Sequence, residues 1–155
     1  MTGSEGTADA ASPLDDLVCF ALYSASHATS QAYRSLLAPW NLTYPQYLVL
    51  VLLWNDDALA VGELGRRLGL DSGTLSPLVR RMEQGGLVTR SRGTLDERIV
   101  RVSLTPAGHA LRDELAHVPG CVAAGTRLTA ESAPALLELL RRLTAGMQDT
   151  TAGVR

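Results

Sequence analysis

Lysine is absent from this chain of 155 residues, and all fourteen basic residues are arginine. Aromatics make up 5%, with a single phenylalanine. The two cysteines, Cys19 and Cys121, stand too far apart for the Cys-x-x-Cys pairs of a zinc site or a thioredoxin-like centre. His27, His109 and His117 are scattered and have no third ligand nearby. No metal and no cofactor is therefore expected. Long apolar runs are missing too: Leu48–Trp54 is seven residues, too short to span a bilayer. Residues 1–12 lack the basic and apolar regions of a secretory signal, so the chain reads as cytoplasmic, with no membrane partner. The length fits one domain, and a hydrophobic share of 46% excludes wholesale disorder.

What is present is a segregated charge. The net charge of −2 conceals one arginine against six acids in residues 1–62, then nine arginines against five acids in 63–112. Residues 113–155 carry four arginines and five acids. A basic middle between acidic ends points to a module that faces nucleic acid.

Along the chain, residues 1–12 read as a disordered tail. Ser12-Pro13 with Asp15 predicts a capped helix from about 13 to 38, stopped at Pro39. Thr43 and Gln46 form a second capping box before an almost wholly apolar helix at 44–54. A short helix at 61–68, a turn at Gly69-Leu70-Asp71 and a helix at 72–84 have the spacing of a helix-turn-helix. Residues 87–92 and 98–104 predict a β-hairpin. Thr105-Pro106 opens a helix to about His117, Pro119-Gly120 interrupts it, a short helical stretch follows from Cys121, and a last helix runs at 130–147. The DNA-binding lobe is thus placed at about 58–105 and the flanking helices at about 13–38 and 106–148, within a single domain of residues 13–150.

On helix 72–84, Leu75, Leu78, Val79 and Met82 share the inward face. Ser72, Ser76 and Arg80 line the opposite face, flanked by Thr74, Pro77 and Arg81. Small hydroxyl residues near a helix N-terminus let it sit deep in a major groove, where an arginine reaches base edges and phosphates. Taken alone, that face also fits a solvated surface. The hairpin adds weight, because Arg90, Arg92, Arg98 and Arg101 cluster on it around a glycine. Such a hairpin is a wing whose tip enters the minor groove. Asp96 stands two residues before Arg98 and can orient its guanidinium.

Asp96-Glu97-Arg98 followed by Leu104-Thr105-Pro106-Ala107-Gly108 resembles the wing signature of the MarR family of winged-helix repressors. The resemblance covers about 13–150. It implies a mainly α fold with a small β-hairpin wing: a winged helix-turn-helix whose first and last helices interleave as a dimerisation arm. It further implies a homodimer on a palindromic double-stranded DNA operator. Cys19-Phe20-Ala21-Leu22-Tyr23, then Tyr33, then Leu42-Thr43-Tyr44-Pro45-Gln46-Tyr47, resembles the organic hydroperoxide resistance regulators (OhrR) within that family. By that resemblance Cys19 is the redox sensor and an organic hydroperoxide the inducer. Tyr23, Tyr33 and Tyr44 match the tyrosines that hydrogen-bond the thiolate, some from the partner subunit. Cys121 matches the resolving thiol of the two-cysteine type, which forms a disulfide.

From the residues alone, Cys19 reads as a small buried hydrophobe. As the seventh residue of a helix capped by Ser12, it lies beyond the reach of the dipole, and Asp15 and Asp16 oppose its ionisation. A thiolate there needs hydrogen-bond donors, and all four tyrosines fall in the first 47 residues. Phe20, Leu22, Trp40, Leu48 and Trp54 offer either core packing or an apolar pocket for the peroxide. Two alternatives stay open: a repressor released by a small aromatic ligand, and a thiol-dependent peroxidase. The second lacks the Thr-x-x-Cys arrangement, since Asp16 occupies the threonine position. The chain is therefore read as a regulator and not an enzyme.

Overall fold

The computed structural model describes residues 12–92 and 99–152. In order, the elements are α1 (Val18–Leu37), a 3-10 turn (Ala38–Trp40), α2 (Tyr44–Asn55), β1 (Leu59–Ala60), α3 (Val61–Leu68), α4 (Ser72–Gln84), β2 (Val88–Arg92), β3 (Val100–Leu104), α5 (Pro106–Glu114), α6 (Val118–Thr126) and α7 (Ser132–Ala152). The fold is mainly α, with one small antiparallel sheet in the order β1-β3-β2. Contacts divide the chain into two compact units, one ending at Leu115 and one starting at Ala116. No single helix among the described residues is long and apolar enough to cross a membrane.

Helix α2 is the centre of the first unit. Its capping box forms as the sequence predicts, with Gln46 N–H on Thr43 Oγ1 and Thr43 N–H on Gln46 Oε1 at 2.9 Å. Tyr47, Val49, Leu50 and Leu53 are buried, and each such leucine contributes roughly 1.5–3 kcal/mol of transfer free energy. The two tryptophans work as struts. Trp54 Nε1 donates to the Gly108 carbonyl at 2.9 Å, and Trp40 Nε1 donates to Glu114 at 2.6 Å. The start of α5 is thereby tied to the C-terminal end of α2, and its end to the α1–α2 corner.

The helix-turn-helix matches its predicted bounds. Gly69 takes a left-handed φ of 65°, and Leu70 N–H closes the turn on Gly65 O at 2.9 Å. Asp71 caps α4 by accepting from Thr74 N–H at 2.8 Å. In the wing, β2 and β3 pair from Val88↔Leu104 to Arg92↔Val100. Strand β1 was not anticipated. It is two residues long, which is too short for a period-2 pattern, and it exists only because β3 offers it an edge at Leu59↔Val102.

Three further expectations need correction. The first helix starts at Val18, not at Pro13. Ser12 and Asp15 do make the expected bond, with Ser12 N–H on Asp15 Oδ2 at 2.8 Å, but it closes one isolated turn. Leu17 is extended (φ −90°, ψ 108°), and α1 begins after it. Asp15 and Asp16 are poor helix-interior residues and do not propagate the turn. Pro119-Gly120 likewise do not interrupt a helix. They lie in the first turn of α6, where a proline lacks nothing because its missing N–H has no intrahelical acceptor. The break falls at residues 115–117 instead. Helix α7 also runs past its predicted end, to Ala152. Of the expected tail, only Ser12 lies within the described residues.

Candidate DNA-binding surface and thiol site

Helix α4 presents two chemically distinct faces. Leu75, Val79 and Met82 are buried, and Leu78 is half-buried. Ser72, Thr74, Ser76, Pro77, Arg80 and Arg81 are all exposed. The Thr74 hydroxyl donates to its cap, Asp71, at 3.2 Å, while Ser72, Ser76 and Arg80 remain on one outward stripe.

The wing arginines separate into distinct roles. Arg92 is exposed at the end of β2. Arg90 is gripped by Glu83 near the end of α4: Nε donates to Oε2 at 2.8 Å, and the backbone N–H of Arg90 donates to Oε1 at 3.1 Å. Arg90's hydrogen bond, above all, holds the Glu83 carboxyl below its ordinary range. Arg101 donates to the Ala58 carbonyl at 2.9 Å and secures the α2–β1 connection. Asp96 and Arg98 lie outside the described residues. Glu83 was not singled out by sequence, because α4 ends one residue after it and Arg90 lies beyond a turn on β2, where no helical or strand periodicity relates the two.

The base of the wing explains the Leu104–Gly108 motif. Thr105 Oγ1 donates to Gly86 O at 2.6 Å, and Thr105 N–H donates to Leu87 O at 3.1 Å. Gly108 N–H donates to Thr105 Oγ1 at 3.1 Å. A Cβ on Gly108 would overlap the Leu87 carbonyl. The motif is the joint between wing and α5.

Helix α3 is braced by an ion-pair network. Arg67 bridges Glu63 at 2.6 Å and Asp56 at 2.8 Å, and Arg66 also holds Glu63 at 2.7 Å. The carboxyls of Asp56 and Glu63 are lowered, chiefly by hydrogen bonds from Arg67 and Arg66 respectively. All of these groups are near the surface, so the network orients α3 more than it stabilises it.

Within the single chain, Cys19 and Cys121 are both exposed free thiols. Because α1 starts at Val18, Cys19 is its second residue and lies within the first turn. The amide N–H groups of Phe20 and Ala21 in that turn both donate to the Leu17 carbonyl at 3.0 Å. Tyr23 follows one turn later on the same face, 67% exposed. Tyr33 and Tyr44 lie elsewhere in the same chain: Tyr33 is 14 residues further along α1, about 20 Å at helical rise. These two rings stack on one another, with centroids 4.0 Å apart. Burial, followed by Tyr44 and Tyr47, pushes the Tyr33 phenol up to about 12. Burial likewise raises Tyr47. Within one chain, only Tyr23 is near Cys19 in sequence and on its helix face.

Comparison with known proteins agrees with this architecture. Residues 42–100 match the MarR family. The chain is 50% identical over 127 residues to the HTH-type transcriptional regulator TtmR of Methylorubrum extorquens, covering 82% of this chain and 65% of that one. It is 47% identical over 109 residues to the organic hydroperoxide resistance transcriptional regulator of Bacillus subtilis, covering 70% of this chain and 74% of that one. Among solved structures, AbfR of Staphylococcus epidermidis superposes with a TM-score of 0.72 at 31% identity, over 84% of this chain and 90% of that one. AbfR has been solved reduced and bound to DNA, overoxidised and bound to DNA, and with a disulfide formed. The two relatives named by function are transcriptional regulators, not enzymes. This chain, with its winged helix-turn-helix, belongs to the MarR family of regulators and to the organic hydroperoxide resistance subgroup within it.

Proposed function

We propose that the protein is a cytoplasmic, homodimeric repressor that binds a palindromic operator and releases it when an organic hydroperoxide oxidises Cys19. The position of Cys19, exposed in the first turn of α1, is the observation that carries this reading. A thiol reacts with peroxide as its thiolate. Tyr23 supplies a phenol on the same chain, and Tyr33 and Tyr44 would reach the thiolate from the partner. Ser72, Thr74, Ser76 and Arg80 would enter a major groove, Arg92 and Arg98 would follow the wing to the minor groove, and Asp96 would steer Arg98. Arg90, held by Glu83, would meet phosphate from a fixed position.

Dimerisation is supported by the apolar surface that α7 carries: Leu136, Leu137, Leu139 and Met147 are all exposed, and none of its residues is buried. A helix this apolar calls for a partner. Oxidation of Cys19 gives a sulfenic acid, which condenses with a second thiol. Cys121, exposed on α6, is that thiol in this proposal, across the dimer.

The test is a gel-shift series with an operator fragment. Cys19→Ser should bind DNA as the parent does and should stay bound after cumene hydroperoxide. Release as fast as the parent's would remove Cys19 from the sensing role. On non-reducing gels the peroxide-treated parent should run as a dimer, and the band should vanish in Cys121→Ser and on adding dithiothreitol. A parent that releases DNA while running as a monomer would place the protein in the single-cysteine mode.

A second reading, release by a small aromatic ligand, is favoured by one cleft of about 470 Å3 between α3, α4 and the wing. It is lined by Val61, Val79, Ile99 and Val100, with Ser76 and Arg90 as polar groups. Under this reading, Cys19→Ser protein still releases its operator when aromatic acids are titrated in.

A further inference from the structure

Four aromatic side chains form a run in the first unit. Tyr33 stacks on Tyr44 with ring planes 23° apart, Tyr47 lies 5.8 Å from Tyr33, and Trp54 meets Tyr47 edge-on at 6.1 Å. Both rings are half-buried and open to small oxidants, whereas Tyr47 is buried. Tyr23 has Phe20 and His27 as ring neighbours.

Removing an electron from a phenol makes it a far stronger acid, so the loss proceeds easily only where a neighbouring oxygen can take or relay the proton. The oxygen of an attacking alkoxyl radical takes the proton together with the electron. In a phenoxyl radical the unpaired electron resides largely on the oxygen and the carbons ortho and para to it. With ring centroids 4.0 Å apart, the two stacked phenols hold the carbons of one ring within reach of the other.

We propose that Tyr33 and Tyr44 form a one-electron oxidation site at which alkoxyl radicals couple the two rings into an intrachain dityrosine. The oxidant arises when ferrous iron reduces an organic hydroperoxide, giving an alkoxyl radical, hydroxide and ferric iron. Two alkoxyl radicals each take a hydrogen atom from one phenol and leave as alcohol. The two phenoxyl radicals join through a bond between ortho carbons. The hydrogen on each of those carbons then moves to the adjacent oxygen, which restores both phenols. The net change is the loss of two hydrogen atoms. A hole on Trp54 can reach the pair through Tyr47, and coupling traps it there. The product bonds α1 to α2 and needs no thiol, so it stands apart from the two-electron chemistry proposed for Cys19.

The sequence makes the experiment clean. Trypsin cuts after arginine alone in this chain, and Arg34 separates Tyr33 from Tyr44, with Arg66 the next site. An equal mixture of unlabelled and nitrogen-15-labelled full-length protein is treated with tert-butyl hydroperoxide and ferrous iron, then digested and analysed by mass spectrometry. Peptides 1–34 and 35–66 should appear joined, short of two hydrogens, and always with the same isotope. Tyr33→Phe and Tyr44→Phe should each lose the joined pair, while Tyr23→Phe, Tyr47→Phe and Cys19→Ser should keep it. The proposal is overturned if the parent yields no joined pair, if the pair mixes isotopes, if it survives in Tyr44→Phe, or if it disappears in Cys19→Ser. The parent digest decides the matter even if a variant folds poorly.

Discussion

Glu83 at the end of α4 clasps Arg90 on β2 through the side chain at 2.7 and 2.8 Å and through the backbone at 3.1 Å. One carboxylate thus sets the angle between the helix proposed to read the major groove and the wing proposed to read the minor groove. Glu83→Gln should leave the fold intact and weaken operator binding several-fold in gel-shift titrations, because Arg90 and the wing lose their fixed pose. Unchanged affinity would show that the clasp is irrelevant to binding. The same pair contributes acid sensitivity. The folded-state pKa of Glu83 is depressed, so its contribution to stability is present above the ordinary carboxylate range and is lost as pH falls through the folded value. Unfolding midpoints followed across acid pH should fall less steeply in Glu83→Gln than in the parent.

Gly108→Ala should destabilise the protein by roughly 1–3 kcal/mol, the usual cost of overpacking. The added methyl would collide with the Leu87 carbonyl and stand 3.0 Å from Leu104 Cδ2. Backbone does not yield as a flexible side chain does. Thermal unfolding by circular dichroism should register the loss as a Tm lower by several degrees. A Tm equal to the parent's would mean that the wing–α5 joint is looser than its geometry implies.

Arg98→Ala should weaken operator binding by on the order of 1–3 kcal/mol without affecting the fold. Asp96→Ala should do so to a smaller extent, by leaving Arg98 unsteered. Fluorescence anisotropy with labelled operator measures both, and full affinity in both variants would remove the wing tip from the DNA interface.

The Tyr33 phenol should ionise near pH 12, well above an ordinary tyrosine. Ultraviolet titration should show late phenolate absorbance in the parent that is reduced by one phenol in Tyr33→Phe, with the raised Tyr47 phenol remaining. The raised folded-state value has a consequence for stability. The contribution is complete below the ordinary phenol range and is lost as pH rises toward about 12, because the unfolded chain releases its proton first. Tyr33→Phe should therefore show a flatter alkaline stability profile.

Helices α3 and α4, the capping box at Thr43 and the N-cap at Asp71 were legible because their signals are local. A cap lies three residues from the amide it satisfies, and an apolar face repeats within a turn or two. The wing was legible for the same reason, as was the family resemblance carried by residues 96–98 and 104–108. The position of Cys19 in its helix was not, because a single extended residue, Leu17, decides where α1 begins, and Leu17 has no capping side chain to announce the break. Strand β1 depends wholly on the edge of β3. Trp40 finds Glu114 across 74 residues and Trp54 finds Gly108 across 54, distances at which sequence spacing carries no signal. The sequence by itself determined the helix-turn-helix, the wing and the kinds of side chain available for chemistry. Only tertiary packing decided which of them meet: Glu83 with Arg90, Tyr33 with Tyr44, and Gly108 with the Leu87 carbonyl. Such pairings form where successive elements fold back on one another, and their partners are chosen by the shape of the core those elements share rather than by a repeating spacing in the chain.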